Sequence, residues 1–290
     1  MLTTVKRNLQ LYFSNKASVF FSLMGAWIAF ALYIIFLQKN MLDTWSSLSH
    51  PEKFLDRWVM GGILAVTGIT TTWSGTVRLV RDKESQKFSD FLLADMTNFR
   101  LNVGYFISAS VIGSVMQVVM HAIMSLYFYY QDGLRFEVSN FPSILGVIVL
   151  SSVMSALLAL LLVQFVKTVE VAERLSTIIG TASGFLVGVY MPIGTLPDVA
   201  QKIIKLVPGA YVASVFRQIL VGDDIPKWKS SLDIKEYLGI EFKWGDHLLT
   251  CQQNILIIAA VIVVSLLVLF SFLWGKGQGK TRLGKLAVKS

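Results

Sequence analysis

Residues 176–211, STIIGTASGFLVGVYMPIGTLPDVAQKIIKLVPGAY, decide how this chain folds. The stretch begins with an apolar run that is long enough to cross a membrane as a helix. Gly180, Gly184 and Gly188 recur in it at every fourth position. Such a stripe lets two helix backbones approach closely in a bilayer, where no hydrophobic force drives helices together. We therefore predict a helix-packing or dimer interface at these three glycines.

Two prolines follow the glycine stripe. Pro192 and Pro197 lack a backbone N–H and cannot continue a helix, so we predict that they end it. Residues 198–206 then place apolar and charged side chains at helical spacing. This pattern indicates a short amphipathic helix that lies in the membrane interface or re-enters it.

The composition of the whole chain is that of an integral membrane protein. Hydrophobic residues make up 54% of its 290 residues and charged residues only 15%, outside the range of ordinary soluble domains. The mean hydropathy of +0.62 agrees. Six segments lack Asp, Glu, Lys and Arg for about 20 residues or more, the length that crosses the hydrocarbon core as a helix. They are residues 17–38, 58–77, 101–131, 138–166, 175–197 and 248–275.

The distribution of charge predicts the orientation of these six helices. Neither tail, residues 1–16 or 276–290, contains an acid, and both contain several Lys or Arg residues. Short basic segments stay on the cytoplasmic side, so we expect both termini in the cytoplasm. The basic blocks are short and lie next to the spans, which favours anionic membrane lipids as partners and argues against nucleic acid.

The sequence offers no catalytic, cofactor or metal site of its own. Residues 275–281, GKGQGKT, are one residue short of a phosphate-binding loop and follow a membrane helix instead of a strand. His50, His121 and His247 lie in three different segments, and Cys251 has no second cysteine to pair with. If the protein uses ATP, we expect another polypeptide to bind it.

Polar side chains within the predicted spans have two possible roles. Gln117 and His121 lie one turn apart in the third span and either line a substrate path or hydrogen-bond to Ser and Thr of neighbouring helices. We favour the packing role. For residues 70–72 and Ser74 of the second span, we expect hydroxyl groups that bond back to their own helix backbone.

The loop between the second and third predicted spans, residues 81–97, reads RDKESQKFSDFLLADMT. Phe88, Phe91 and Leu92 recur in it at three- and four-residue spacing, which predicts a helix with one apolar face. Such a face can insert into a groove of a partner protein. The alternative is a helix that lies on the membrane.

The order of these features resembles the membrane subunits of ABC-2 type exporters. The resemblance implies that residues 81–97 hold the coupling helix, which docks into an ATPase subunit through Arg81, Glu84, Phe88, Phe91 and Leu92. The chain has Ser85-Gln86 where the family usually has Gly-Thr. Residues 5–23, with a basic start and an aromatic first span, are similar to the branch that exports drugs, antimicrobial peptides and toxins.

The resemblance also implies an architecture and a set of partners. The expected fold is an all-α membrane protein with six transmembrane helices, an N-terminal interfacial helix, and a short amphipathic or re-entrant helix after the fifth span. Residues 1–275 would form the transmembrane domain and 276–290 a basic cytoplasmic tail. Two such permeases, identical or paralogous, would meet along their first and fifth helices in a cell membrane, and the resemblance implies that this is a bacterial plasma membrane. ATP and Mg²⁺ would bind to separate ATPase subunits.

The expected activity is efflux of an amphipathic or hydrophobic substrate, such as a drug, a peptide, a toxin or a lipid-like molecule. Two alternatives stay open. One is a permease for polysaccharides or lipid-linked glycans, and the other is a non-transport membrane protein that uses the same fold. A secondary transporter is disfavoured because no predicted span contains a carboxylate.

Overall fold

A computed structural model describes residues 1–44, 50–94, 96–135, 138–222 and 231–287. Its secondary structure is almost entirely helical in these residues. The α-helices are α1 Leu2–Ser14, α2 Lys16–Ser22, α3 Met24–Leu32, α4 Gln38–Thr44, α5 Pro51–Glu84, α6 Lys87–Leu93, α7 Asn98–Asp132, α8 Phe141–Val163, α9 Val169–Leu186, α10 Asp198–Lys205, α11 Pro208–Val221, α12 Ser231–Tyr237 and α13 Cys251–Ala287. A π-helical segment, Tyr33–Leu37, joins α3 to α4, and 3₁₀ turns occur at Val138–Asn140 and Ile193–Thr195. Two short antiparallel strands, β1 Lys243–Trp244 and β2 His247–Leu248, form a hairpin before α13.

Four helical segments in the described part of the chain are long and apolar enough to cross a membrane. They are Met24–Leu42, Asn98–Asp132, Phe141–Val163 and Cys251–Leu273. A fifth span is possible if α10 and α11, which meet at 87°, cross together as one broken helix. Four of the six predicted spans therefore correspond to helices that are long and apolar enough. The predicted spans on α5 and α9 do not meet these criteria of length and composition.

Helix α5 occupies the centre of the bundle and packs against α7, α8, α9 and α11. Its hydropathy is low because nine of its 34 residues are charged and five are threonine, yet Thr67, Thr71 and Thr72 are fully buried. Their hydroxyls donate to backbone carbonyls one turn earlier, at 2.6–2.8 Å. This confirms the predicted back-bonding for Thr71 and Thr72, and it explains how a polar helix can stand in an apolar core. The same prediction is wrong for Ser74, whose hydroxyl makes no hydrogen bond to another described residue.

Close contact between α5 and α7 depends on small residues. A Cβ atom on Gly113 would lie 2.4 Å from Cγ2 of Thr72, and one on Gly75 would lie 3.2 Å from Cα of Ala109. Neither position leaves room for a side chain without movement of the helices. The tight glycine packing that membrane helices favour therefore occurs here, inside the subunit.

Helix α9 ends earlier than the sequence predicts. Its last residue is Leu186, and Gly188 follows with φ of +68°, the left-handed conformation that ends many helices. The N–H of Val189 donates to the carbonyl of Gly184 at 2.9 Å and closes the end. The prediction that Pro192 ends this helix is therefore wrong, because the glycine ends it four residues earlier.

The chain after α9 follows the predicted order in outline. Pro192 precedes a 3₁₀ turn and Pro197 precedes α10, whose bounds agree with the predicted amphipathic helix. On α10, Ile204 is buried while Val199 and Ile203 are exposed. An exposed apolar edge on a short helix is typical of a segment that lies in a membrane interface.

The backbone of α13 continues as a helix through residue 287. The predicted tail, residues 276–290, is therefore helical over most of its length, and 288–290 lie outside the described residues. Residues 275–281 belong to this helix, so they do not form the loop that a phosphate site of that type needs.

Candidate functional site

A buried carboxylate ties three helices together at one end of the bundle. Asp82, near the C-terminal end of α5, is fully buried and accepts two hydrogen bonds from Arg7 of α1, at 2.8 and 3.1 Å. Nη2 of Arg78 lies 3.0 Å from Oδ1 of Asp82, and the hydroxyl of Tyr105 on α7 donates to Oδ2 at 2.6 Å. We call Arg7, Arg78, Asp82 and Tyr105 the Asp82 cluster.

The electrostatics of the Asp82 cluster favour the ionised carboxylate. Burial would raise the pKa of Asp82, but the hydrogen bonds from Arg7 and Tyr105 and the charge of Arg78 outweigh it and hold the pKa below its usual value. The hydrogen bond to Asp82 raises the pKa of Arg7 in turn. Two guanidinium groups thus share one carboxylate, which leaves the cluster with a net positive charge.

The short helix α6 rests on this cluster. The guanidinium carbon of Arg7 lies 5.1 Å from the ring centre of Phe91, and Nζ of Lys83 lies 5.7 Å from that of Phe88. Phe88, Phe91 and Leu92 are half-buried against the hydrophobic core around α5, α7 and α8. The predicted apolar face therefore exists, but it packs on the chain's own body.

Because the predicted apolar face packs inward, the outward face of α6 consists of other residues than the sequence predicts. Leu93 is 85% exposed, and Lys87 and Asp90 are also exposed. The helix begins after Gln86, which has φ of +63°, a conformation that glycine adopts at no steric cost. A non-glycine residue in the left-handed region is strained, and the turn into α6 is held by its surroundings.

Arg81 and Glu84 face α9. Nη2 of Arg81 lies 3.2 Å from Oε1 of Glu173, and both side chains are largely exposed. Oε2 of Glu84 accepts a hydrogen bond from the backbone N–H of Val169 at 3.1 Å. An acidic group at a helix N-terminus is favourable because it satisfies an unpaired N–H and opposes the helix dipole. Glu84 therefore connects the start of α9 to the end of α5, and the exposed Arg81–Glu173 pair adds little to this.

The three glycines of the predicted stripe have three different environments. Nothing lies within 4 Å of a Cβ atom built on Gly180, whereas one on Gly184 would lie 2.2 Å from the ring of Tyr190 in the same chain. Gly188 lies beyond the helix end. Only Gly180 faces open space, and it lies near Ile178 and Thr181, which are exposed on α9.

A family model described as "ABC-2 family transporter protein" matches residues 38–273. The chain belongs to this family. It is a multi-pass membrane protein of an ABC transporter system, and the family implies an ATPase partner. A comparison with curated proteins finds no similar sequence. The match begins after α3, so α1 and its Arg7 lie outside the matched residues.

Gln117 of this ABC-2 protein is fully buried between α7 and α8. Its side-chain nitrogen donates to Oγ of Ser152 at 2.7 Å, and its oxygen accepts from Ser151 at 2.9 Å. The hydrogen bonds to serine that we predicted are present, and they satisfy both ends of the amide. This geometry supports the packing role for Gln117.

His121 lies one turn along α7, almost fully buried, with its ring stacked on Phe141 at 6.4 Å. It borders a small cavity of about 40 Å³ together with Arg57 and Arg135. A path-lining role for His121 therefore stays a prediction. Among the described residues, no group of three His, Cys, Asp or Glu side chains is placed to hold a metal ion.

Arg217 of α11 is a buried residue that the sequence analysis missed. It is fully buried and donates to the carbonyls of Gly188 at 2.7 Å and Gly239 at 3.2 Å, with its guanidinium 4.8 Å from the ring centre of Trp58. It thus joins the end of α9 to the segment after α12. The sequence does contain a sign of this role, because Arg217 is the single charged residue in the apolar run 208–221. Burial of an arginine in a membrane protein is energetically unfavourable unless its guanidinium is hydrogen-bonded.

Asp56 was also missed, because it precedes the predicted second span by two residues. It is fully buried and accepts from the hydroxyl of Tyr33 at 2.8 Å. The amide nitrogen of Gln38 lies 3.3 Å from Asp56 and 3.2 Å from Asp132. These bonds connect the first three long helical segments at the end of the bundle opposite to the Asp82 cluster.

Proposed function

We propose that this chain is the permease subunit of an ABC exporter, and that α6 is its coupling helix. ATP and Mg²⁺ would bind to a separate ATPase subunit, and a second permease, identical or paralogous, would complete the transporter. The substrate would be an amphipathic or hydrophobic molecule. The protein would lie in a bacterial plasma membrane, with both termini on the cytoplasmic side.

One observation carries the proposal for α6. Leu93 is a large apolar side chain with 85% of its surface exposed, on a helix whose other apolar residues pack inward. The helix is fixed to α1 and α5, so a force applied to it would reach the bundle. An exposed apolar residue on a rigid support is suited to the groove of a partner.

The second permease would contact α9. This helix has only three buried residues, Ala172, Ser183 and Gly184. Its exposed residues include Ile178 and Phe185, each more than half exposed. Such a surface can face lipid or another helix, and the open space at Gly180 favours close approach of a second backbone.

Substitution of Leu93 tests the role of α6. The tagged chain is purified from its native membranes, and the ABC ATPase that accompanies it is identified and quantified by mass spectrometry. We expect Leu93→Asp to lose this ATPase and ATP-driven transport of an amphipathic dye such as rhodamine 6G, at unchanged membrane abundance and melting temperature. Leu93→Met, which keeps an apolar side chain, should retain both.

Phe91→Ala should behave differently from Leu93→Asp. Phe91 packs against the body of the subunit, so its removal should lower the melting temperature as well as partner retention. Normal ATPase retention and transport by Leu93→Asp would show that coupling does not pass through α6. Absence of any accompanying ATPase from the wild-type preparation would favour the non-transport alternative.

A further inference from the structure

A cleft of about 200 Å³ opens between α1, α2, α5 and α9, next to the Asp82 cluster. Its lining includes the charged side chains of Arg78, Arg81 and Glu173. It also includes the apolar side chains of Leu11 and Phe21, and Phe21 is 63% exposed. The cleft therefore offers both the polar and the apolar contacts that an amphipathic ligand needs.

Three charged residues line the cleft, Arg78, Arg81 and Glu173, and together they carry a net charge of +1. Arg78 and Arg7 share the single carboxylate of Asp82, and Nε of Arg78 is buried with no hydrogen-bond partner among the described residues. Within the described part of the chain, the side chain of Arg81 pairs with Glu173 alone, at 3.2 Å and in an exposed setting. Exposed ion pairs contribute little, so Arg81 can exchange this partner for a ligand at low cost.

The cleft also has unused hydroxyl groups. Ser74 of α5 and Ser176 of α9 line it, and neither side chain makes a hydrogen bond to another described residue. Both residues are partly exposed, so their hydroxyls are available to an incoming oxygen. Arginine and serine together form the donor set that binds phosphate and carboxylate groups.

We infer that this cleft binds the anionic head group of an amphiphile, with Arg81, Arg78, Ser74 and Ser176 as donors and the tail over Phe21 and Leu11. The head group is a phosphate or a carboxylate. With the predicted orientation, the cleft lies at the level of the inner leaflet, where anionic lipids are abundant and basic pockets between helices bind them. The inference rests on the chain's own cleft and does not require the ATPase.

Native mass spectrometry of the whole chain in dodecyl maltoside tests this binding. The probes are palmitoyl-oleoyl phosphatidylglycerol, palmitoyl-oleoyl phosphatidylcholine and dodecyl phosphate, each titrated alone. We expect both anionic probes to bind more tightly than phosphatidylcholine. Tighter binding of phosphatidylglycerol would identify a leaflet lipid as the ligand, and tighter binding of dodecyl phosphate would identify a single-chain amphiphile. Either result supports the inference.

Two variants with matched controls locate the binding in the cleft. Arg81→Gln should weaken binding of the anionic probes about tenfold, because it removes a charged donor, whereas Arg174→Gln, an exposed arginine on α9 outside the cleft, should not. Ser176→Leu should block the cleft, and Thr177→Leu, next to it on α9 but outside the lining, is its control.

Wild-type affinity in both Arg81→Gln and Ser176→Leu would overturn the inference, as would equal affinity for phosphatidylglycerol and phosphatidylcholine. Binding is measured on the permease alone, without the ATPase. A negative result would therefore contradict the inferred binding of an anionic amphiphile and would leave the proposed export function untouched. Melting curves of the four variants check that each remains folded.

Discussion

Replacement of Asp82 by Asn should strongly destabilise this protein. The carboxylate is fully buried, accepts hydrogen bonds from Arg7 and Tyr105, and forms an ion pair with Arg78. Removing one member of a buried ion pair costs about 3–5 kcal/mol, because the partner charges remain desolvated. Arg7 and Arg78 keep 26% and 19% of their side-chain surfaces exposed, so they regain some hydration. We therefore expect a loss of about 3 kcal/mol in the free energy of unfolding, at the lower end of that range.

The free energy of unfolding can be measured by titrating dodecyl sulfate into dodecyl maltoside micelles that hold the protein. Asp90→Asn is the matched control, since Asp90 is exposed on α6 and its replacement should change stability by less than about 0.5 kcal/mol. A cycle of Arg7→Gln, Asp82→Asn and the double variant isolates the pair, and we expect a coupling energy of about 2 kcal/mol. A loss below about 1 kcal/mol in Asp82→Asn would refute the view that this cluster holds α1 to the bundle.

The same cluster predicts how stability depends on pH. The pKa of Asp82 in the folded protein lies below the ordinary value of 3.8. Its contribution is therefore complete above the pKa of the unfolded chain and is lost only as pH falls through the lower, folded pKa. Between pH 5 and 8 the difference in stability between wild type and Asp82→Asn should stay constant, and it should shrink below about pH 4. A difference that changes between pH 5 and 8 would contradict this assignment.

Three further predictions concern other parts of the fold. Gly180→Leu should keep the wild-type melting temperature and weaken assembly with a second permease in cross-linking of native membranes, whereas Gly184→Leu should lower the melting temperature through its clash with Tyr190; equal behaviour of the two variants would argue against an interface at Gly180. Gln86→Gly should raise the free energy of unfolding by about 1 kcal/mol by relieving a left-handed residue, and Ser85→Gly, with φ of −82°, should not. Arg217→Met should leave buried carbonyls unsatisfied and lower stability by about 2 kcal/mol or more, and a wild-type melting curve would show that these bonds are dispensable.

The sequence was sufficient to predict features that depend on local periodicity. The amphipathic helix α10 and the back-bonded threonines of α5 follow from spacing and side-chain chemistry within a few residues. The serine partners of Gln117 were predictable by type, because a buried amide in a membrane helix needs polar partners on its neighbours. Which helix supplies them was not predictable, since that depends on how α7 and α8 pack.

The predictions that were wrong depend on long-range contacts, or on glycine, which can serve either close helix packing or a helix end. Gly184 and Gly188 have the spacing of a packing stripe, yet one makes room for Tyr190 and the other ends α9 in a left-handed turn. The stripe on α6 shows the same ambiguity. Periodicity predicts that Phe88 and Phe91 share a face, but it does not tell whether that face meets a partner protein or the chain's own core.

The N-terminal helix is the part of the molecule that neither hydropathy nor the family match would mark as structural. The family model begins at residue 38, and α1 is too short and too polar to span a membrane. However, Arg7 supplies two of the hydrogen bonds to the fully buried Asp82 and also covers Phe91 of α6. Without α1, this carboxylate would lose half of its cationic partners and α6 would lose one side of its support. The unit that positions the candidate coupling helix therefore includes α1, and a chain that began at residue 38 would lack it.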